Sequence, residues 1–411
     1  MKSFFTLCRL VRSIGFILCM FMANQLCYAW IDGQNAAFVI GQSDFISNIP
    51  AVSATKLAYP RDVALDLVNN KLYVADSINS RVLRYAYPIT QNQPAAEVVF
   101  GQPDFNSSMF GASRNQLWYP SGVTVDATGR LWVSDTYNNR VIYYNSAHAI
   151  FTNQPDADGV LGQPDFTSKD PATTQNGMNF PYGLLVDPEG SLFVADGSNN
   201  RVLGFKNAAA KANGAGADRV LGQPDFTSNG AAVTQNGMSF PRGIILVGKS
   251  LFVADRSNAR VLRFDNAAAK ANGANADGVL GQPDFTSNTP HFTQSGMENP
   301  GRVTADLFGR LYVLDGYHLD RITIFNDVLI QPNGANANNV LGQPDFTSSG
   351  SACAQNRLSM DSTGGGAAFD SRPNSYCLVM ADTNNCRVMI FCDSQPPGPT
   401  ITSISPTTGT K

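Results

Sequence analysis

Short apolar runs, each closed by Asp, Asn, Gly or Pro, recur along most of the chain. One set reads Val63-Ala-Leu-Asp66, Leu72-Tyr-Val-Ala75, Val82-Leu-Arg-Tyr85 and Val98-Val-Phe100. Runs this short, rich in Val, Leu, Tyr and Phe and bounded by turn residues, predict four β-strands. Between the second and third lies Asp76-Ser-Ile-Asn79-Ser-Arg81. Its Asp and Asn can accept turn amides and tolerate left-handed backbone angles, which is hairpin chemistry. No helix of ordinary length is predicted. The Ala-rich pieces 207–213 and 266–272 allow one or two helical turns and join a third strand to a fourth.

The set repeats. Gly-Gln-(Pro/Ser)-Asp-Phe begins at Gly41, Gly101, Gly162, Gly222, Gly281 and Gly342. A second marker, an apolar run ending in Asp, ends at Asp76, Asp135, Asp196, Asp255, Asp315 and Asp382. Two markers in one phase, roughly 60 residues apart, indicate a repeat architecture. Four antiparallel strands repeated six times predict an all-β, six-bladed β-propeller, in which radial repetition removes long free sheet edges. Ala37-Phe-Val-Ile40 reads as a fourth strand with no first three before it. Val388-Met-Ile-Phe391 is a third strand with no fourth after it. The N-terminal strand is therefore expected to complete the last blade.

Composition adds location and cross-links. Lys2, Arg9 and Arg12 precede the apolar run 14–23, and Cys27-Tyr-Ala29 supplies small residues at the two positions a signal peptidase reads. Residues 1–29 thus read as a secretory signal peptide, too short in its apolar part to span a membrane. Its removal leaves 26 Lys plus Arg against 32 Asp plus Glu, a net charge of about −6. That argues against a general nucleic-acid or anionic-membrane surface. The expected location is secreted, periplasmic or at the cell surface, with no stable membrane insertion. Cys353, Cys377, Cys386 and Cys392 remain, and an even number in an exported chain reads as two disulfides. A hairpin pairing Leu72 with Tyr85 would, in the same register, set Cys377 opposite Cys392. Cys353 and Cys386 then form the second pair, on loops that share a face. Residues 30–393 make up the propeller, and 394–411 form a Pro-rich linker with a short alternating run.

The pattern Pro-x-Gly-(apolar)-x-Val-Asp, then Leu-(Tyr/Phe)-Val-Ala-Asp-x-x-Asn-x-Arg-Val, resembles the NHL repeat over most of residues 38–391. Asn79, Asn138, Asn199, Asn258 and Asn385 fit it, as do Arg81, Arg140, Arg201, Arg260 and Arg387. The fifth copy departs, with one extra residue and His318 in the Asn place. In the fourth, the first strand ends at Val247 instead of Asp. The resemblance implies the same propeller and a wide range of roles: protein or RNA binding, extracellular sensing, or metal-dependent lyase or hydrolase chemistry. The stretch 399–409 resembles the opening strand of an IPT/TIG immunoglobulin-like domain.

Residues present in every copy are expected to serve the architecture, so function is sought where the copies differ. On the loops into the first strands the variable positions are read as Arg61, Ser121, Tyr182, Arg242 and Arg302, with 364–366 all Gly in the sixth copy. Three Arg around an axial funnel would hold an anionic group through charge-assisted hydrogen bonds. The structural reading pairs them with acidic neighbours such as Asp62. His291 and His318 flank the fifth blade and are the weak candidates for a metal, while His148 falls on the opposite face. No nucleophile-and-base set or phosphate-cradling loop is legible. The function expected is that of an exported binding or scaffold module for a protein or glycan, without a cofactor. The alternative is a metal-dependent lyase or lactonase, for which zinc or calcium would be expected.

Overall fold

The computed structural model describes residues 32–360, 365–370, 372 and 375–392. The expected leader and the Pro-rich tail lie outside these residues. Six four-stranded antiparallel sheets follow one another along the chain. Blade 1 is built from Pro60–Asp66, Lys71–Asp76, Arg81–Ala86 and Val98–Phe100. The inner strands of blades 2 to 6 are Pro120–Val125, Pro181–Val186, Pro241–Val247, Pro300–Ala305 and Ala367–Asp370. Each inner strand lies beside the next, and the sixth lies beside the first, so the ring is closed. The latch is the expected one: Phe38–Ile40 pairs with the third strand of blade 6, Val39 opposite Met389 and Ile40 opposite Val388. The helical pieces among the described residues are single 3-10 turns, Ala208–Ala210 and Ala267–Ala269 among them.

Strands buried on both sides read as continuous apolar runs, since each blade is sandwiched between two others. Leu131–Asp135 is buried at every position. Tyr73, Phe100, Leu117, Val133 and Tyr144 form one such interblade layer. The loops lie on two faces. The upper face carries the loops leading into the inner strands and the hairpin turns between second and third strands. The lower face carries the turns between first and second strands and the third-to-fourth connections.

The recurring Asp and Arg fasten the upper loops. Arg81 Nε lies 2.7 Å from Asp76 Oδ2, and both side chains are fully buried. The guanidinium also donates to the carbonyls of Ser53, Lys56 and Phe105, tying the loops before and after the blade to its hairpin turn. Asp76 accepts from Ala58 N and Asn79 Nδ2. The same pair closes at 2.6–2.7 Å in blades 2, 3, 4 and 6. In blade 5 the extra residue stretches it to 3.6 Å and leaves Arg321 Nε without a partner.

The extra residue has a second consequence. Just before the Arg, Asn139 and Asn200 stand in left-handed conformation. Each Oδ1 accepts an amide, from Phe180 or Phe240, and each Nδ2 donates to a carbonyl, of Lys169 or Asn229. Asp320 occupies that place in blade 5. Its Oδ1 accepts from Met360 N at 2.6 Å, but its Oδ2 is buried without a partner. Burial pushes this carboxyl up to about 7. The unfolded chain releases the proton near pH 4, and the folded chain holds it until about pH 7. The group's contribution is therefore intact below pH 4 and lost as pH rises through 7. Asp320→Asn restores the missing donor. It is expected to raise stability by about 2 kcal/mol at pH 8 and to change little at pH 4.5. Urea unfolding at the two pH values checks this.

Cys377 pairs with Cys392 in the sheet register and the two are joined by a disulfide. The expected Cys353–Cys386 bridge is not made; both are thiols. The shared face was read correctly, but side-chain direction decides bonding. Cys353 Sγ lies 3.4 Å from the Ser47 carbonyl. Cys386 occupies the left-handed position that Asn139 holds in blade 2.

Candidate functional site

Strand register defines the axis. In blade 1 Pro60 pairs with Asp76, and after a bulge Asp62 pairs with Ala75. The residue facing that same partner is Gly122 in blade 2 and Arg302 in blade 5. By sequence Gly183, Gly243 and Gly366 stand there in the others. A Cβ at Gly243 would lie 2.5 Å from Arg302 Cα, so the inner strands approach too closely for a side chain. Arg302 is therefore not equivalent to Arg61 and Arg242. It stands one place further in, because blade 5 reads Pro-Gly-Arg where blade 4 reads Pro-Arg-Gly.

Asp62 and Arg302 are the two side chains inserted into this glycine ring, from blades separated by the sixth. Asp62 accepts from Val63 N at 3.0 Å and Val123 N at 3.1 Å, and its Oδ2 lies 3.6 Å from Arg302 Nη1. Arg302 Nη2 donates to the carbonyl of Ser121, on the blade directly across the ring. The pair bars the axis near the upper face. Burial pushes the Asp62 carboxyl up, and Arg302 and the two amides oppose that. Below the bar lies a cavity of about 330 Å³, walled by Val63, Leu65, Val125, Leu185, Ile245 and Phe369.

The other positions read as a rim are turned inward. Arg61 lies 4.9 Å from the Tyr119 ring, and Arg242 lies 3.7 Å from that of Tyr182. Both guanidiniums are buried, as are Ser121 and Tyr182. These contacts place Arg61 and Arg242 on aromatic faces at the top of separate blades. His318 Nδ1 lies 2.6 Å from Glu298 Oε1, and His291 sits exposed on the preceding loop. His148 is on the lower face, its Nδ1 4.0 Å from Asp66 Oδ2. Among the described residues no three His, Cys, Asp or Glu are grouped to hold a metal ion.

What sequence reasoning missed is an aromatic run across the upper face of blades 1 to 3. Phe110 stacks on Trp118 at 4.8 Å, Trp118 meets Tyr137 edge-on at 5.6 Å, and Tyr137 stacks on Tyr119 at 4.5 Å and touches Phe180. Met109 and Ile78 lie on the same face beside it, their turns joined by Gln102 Nε2, which bonds both the Met109 carbonyl and that of Ser80. Met109 is 72% exposed, Phe110 61% and Ile78 51%. A signal was present: Tyr59, Tyr119, Phe180 and Phe240 each precede the Pro that opens an inner strand, all four with φ between 54° and 57°.

Six four-stranded blades around a barred axis, latched by a strand from the other end of the chain, define a β-propeller. The NHL-repeat family model matches two stretches of the chain, residues 57–85 and 117–142. Over 218 residues the chain is 27% identical to peptidyl-glycine alpha-amidating monooxygenase of Mus musculus, covering 49% of this chain and 20% of that protein. It is also 27% identical over 197 residues to peptidyl-alpha-hydroxyglycine alpha-amidating lyase 1 of Drosophila melanogaster, covering 46% and 32%. It thus spans a third or less of either relative. A solved gluconolactonase from Xanthomonas campestris aligns with a TM-score of 0.47 at 13% identity, covering 88% of this chain and all of that one. No helix among the described residues is long and apolar enough to cross a membrane.

Proposed function

We propose that this propeller is an exported binding module whose upper face takes a protein partner through the run from Ile78 to Phe180. The observation that supports it is the composition of that surface. Exposed Met and Phe beside Trp and Tyr match the residue types enriched in interface cores, and Ile78 adds apolar area. Exposed aliphatic side chains favour a protein over a glycan, which would be served by flat rings alone. A photo-reactive residue at Met109 or Phe110 is expected to give one discrete adduct with a partner protein in extracts of the source organism. The same group at Val68 or Phe151, exposed on the lower face, is expected to give none. With that partner purified, Trp118→Ala should weaken binding by at least about tenfold. Equal labelling from both faces, or retention on a glycan array in place of a protein adduct, would overturn the reading.

The second reading is a metal-dependent lyase or lactonase acting at the axis, and its lyase form is supported by the likeness to the amidating relatives. The described residues do not offer a three-ligand group, so no catalytic step is assigned to such a metal. Stoichiometric zinc or calcium in elemental analysis of the purified protein would favour it.

A further inference from the structure

The lower face holds a second cavity, of about 560 Å³, between blades 3 and 4. It is lined by Asp187, Glu189 and Phe193 of blade 3 and by Leu246, Lys249 and Ala268 of blade 4. Two local features open it. The first-to-second-strand turn of blade 4 is only Gly248-Lys249, with Val247 paired directly to Ser250. And its single 3-10 turn reads Ala267-Ala268-Ala269, as the turn of blade 3 does, where blade 2 carries His148.

Asp187 is the aspartate that ends an inner strand, and its counterparts show what it lacks. Asp126 Oδ2 accepts from Trp132 Nε1 and lies 3.4 Å from Arg130 Nη1. Asp306 Oδ2 accepts from Arg310 Nε and Tyr312 Oη, Asp66 Oδ2 from Asn69 Nδ2, and Asp370 Oδ2 from Arg372 and Ser375. In blade 3 the Arg is replaced by Ser191 and the Trp or Tyr by Phe193, which cannot donate. Asp187 Oδ1 accepts from Ser191 N at 2.7 Å, while Oδ2 has no partner although the residue is only 6% exposed. That oxygen opens onto the cavity, where an entering cationic donor would complete it. Between blades 1 and 2 the chain itself fills this place: the His148 imidazole stands there, its Nδ1 4.0 Å from Asp66 Oδ2 and too far to donate to it. Ala268 stands in the corresponding place beside Asp187, and the space is open.

We propose that this cavity is a binding site for a small organic cation, an amine or an imidazole on an apolar or aromatic body. The charged nitrogen donates to Asp187 Oδ2 where His148 approaches Asp66. The body lies against Phe193, Leu246 and Ala268. This site is on the face opposite the proposed partner surface and does not depend on it.

The test uses 2-phenylethylamine and its oppositely charged analogue 3-phenylpropanoate, titrated into the whole protein by calorimetry and NMR. The amine is expected to bind and the carboxylate to bind at least about tenfold more weakly. Asp187→Asn should lower amine affinity by a similar factor. Ala268→His fills the cavity with the residue blade 2 carries, and Phe193→Tyr supplies the donor blade 5 carries; each should abolish or strongly weaken binding. Since both copy arrangements this chain already folds with, an unchanged thermal midpoint is expected and is measured alongside. Amine and carboxylate binding alike, no binding of either, or full binding by Ala268→His would overturn the proposal.

Discussion

Arg201→Leu is expected to destabilise the propeller by about 3–5 kcal/mol, among the largest losses for a single change away from any binding surface. Arg201 Nε sits 2.7 Å from Asp196 Oδ2 with both side chains fully buried. Its Nη2 donates to the carbonyls of Thr174 and Gly177, and Nη1 to that of Phe226. Leucine leaves a carboxylate without its cation and three carbonyls without their donor, in a place water does not reach. Blade 5 supplies the internal comparison. Arg321 holds Asp315 only at 3.6 Å and its Nε is already idle, so Arg321→Leu should cost about half as much. Urea denaturation of both variants gives the difference. Equal losses would mean that the short Nε contact contributes nothing beyond the loop carbonyls.

Arg302→Met should cost about 3 kcal/mol at pH 8, because Asp62 then keeps two amide donors but loses the cation that faces it across the axis. Burial already pushes the Asp62 carboxyl up. With Arg302 gone it moves further, so the folded variant holds the proton over a range where the unfolded chain releases it. The deficit is thus largest at high pH and shrinks as pH falls toward the ordinary Asp range near 4. Replacing both residues by Gly reproduces the axis as blades 2, 3, 4 and 6 build it. The double variant should recover most of the loss, since a buried ion pair is costly to break but not to remove whole. A double-mutant cycle at pH 8 and pH 5 measures the coupling. A double variant as damaged as the single one would show that the pair holds the inner strands together and does not merely bar the channel.

The two axial residues also show where sequence reading fails. Arg302 looks like Arg61 and Arg242: an Arg beside a Pro and a Gly at the start of an inner strand. The bulge after the Pro makes the order of Gly and Arg decisive, and a shift of one residue moves the side chain from the top of a blade into the centre of the ring. The Cys353 and Cys386 loops were placed on one face by topology alone, and that is too coarse to direct two sulfurs at each other. The aromatic run is built from loops of three blades, so no window of sequence contains it. The Asp187 cavity depends on several features at once, of which Val247 in the Asp place was visible and the facing Ala268 was not.

Blade number, strand order within a blade, the closing strand and the Cys377–Cys392 bridge all follow from short-range pattern. They depend on alternation, turn residues and a register counted over a dozen positions, which consecutive residues carry, and the closing strand follows from counting a fourth strand left over at the start against one missing at the end. The barred axis, the aromatic upper face and the open carboxylate between blades 3 and 4 arise where separate copies meet. There the outcome rests on which side chains from distant segments share a few ångströms of space, and only closing the ring brings them together.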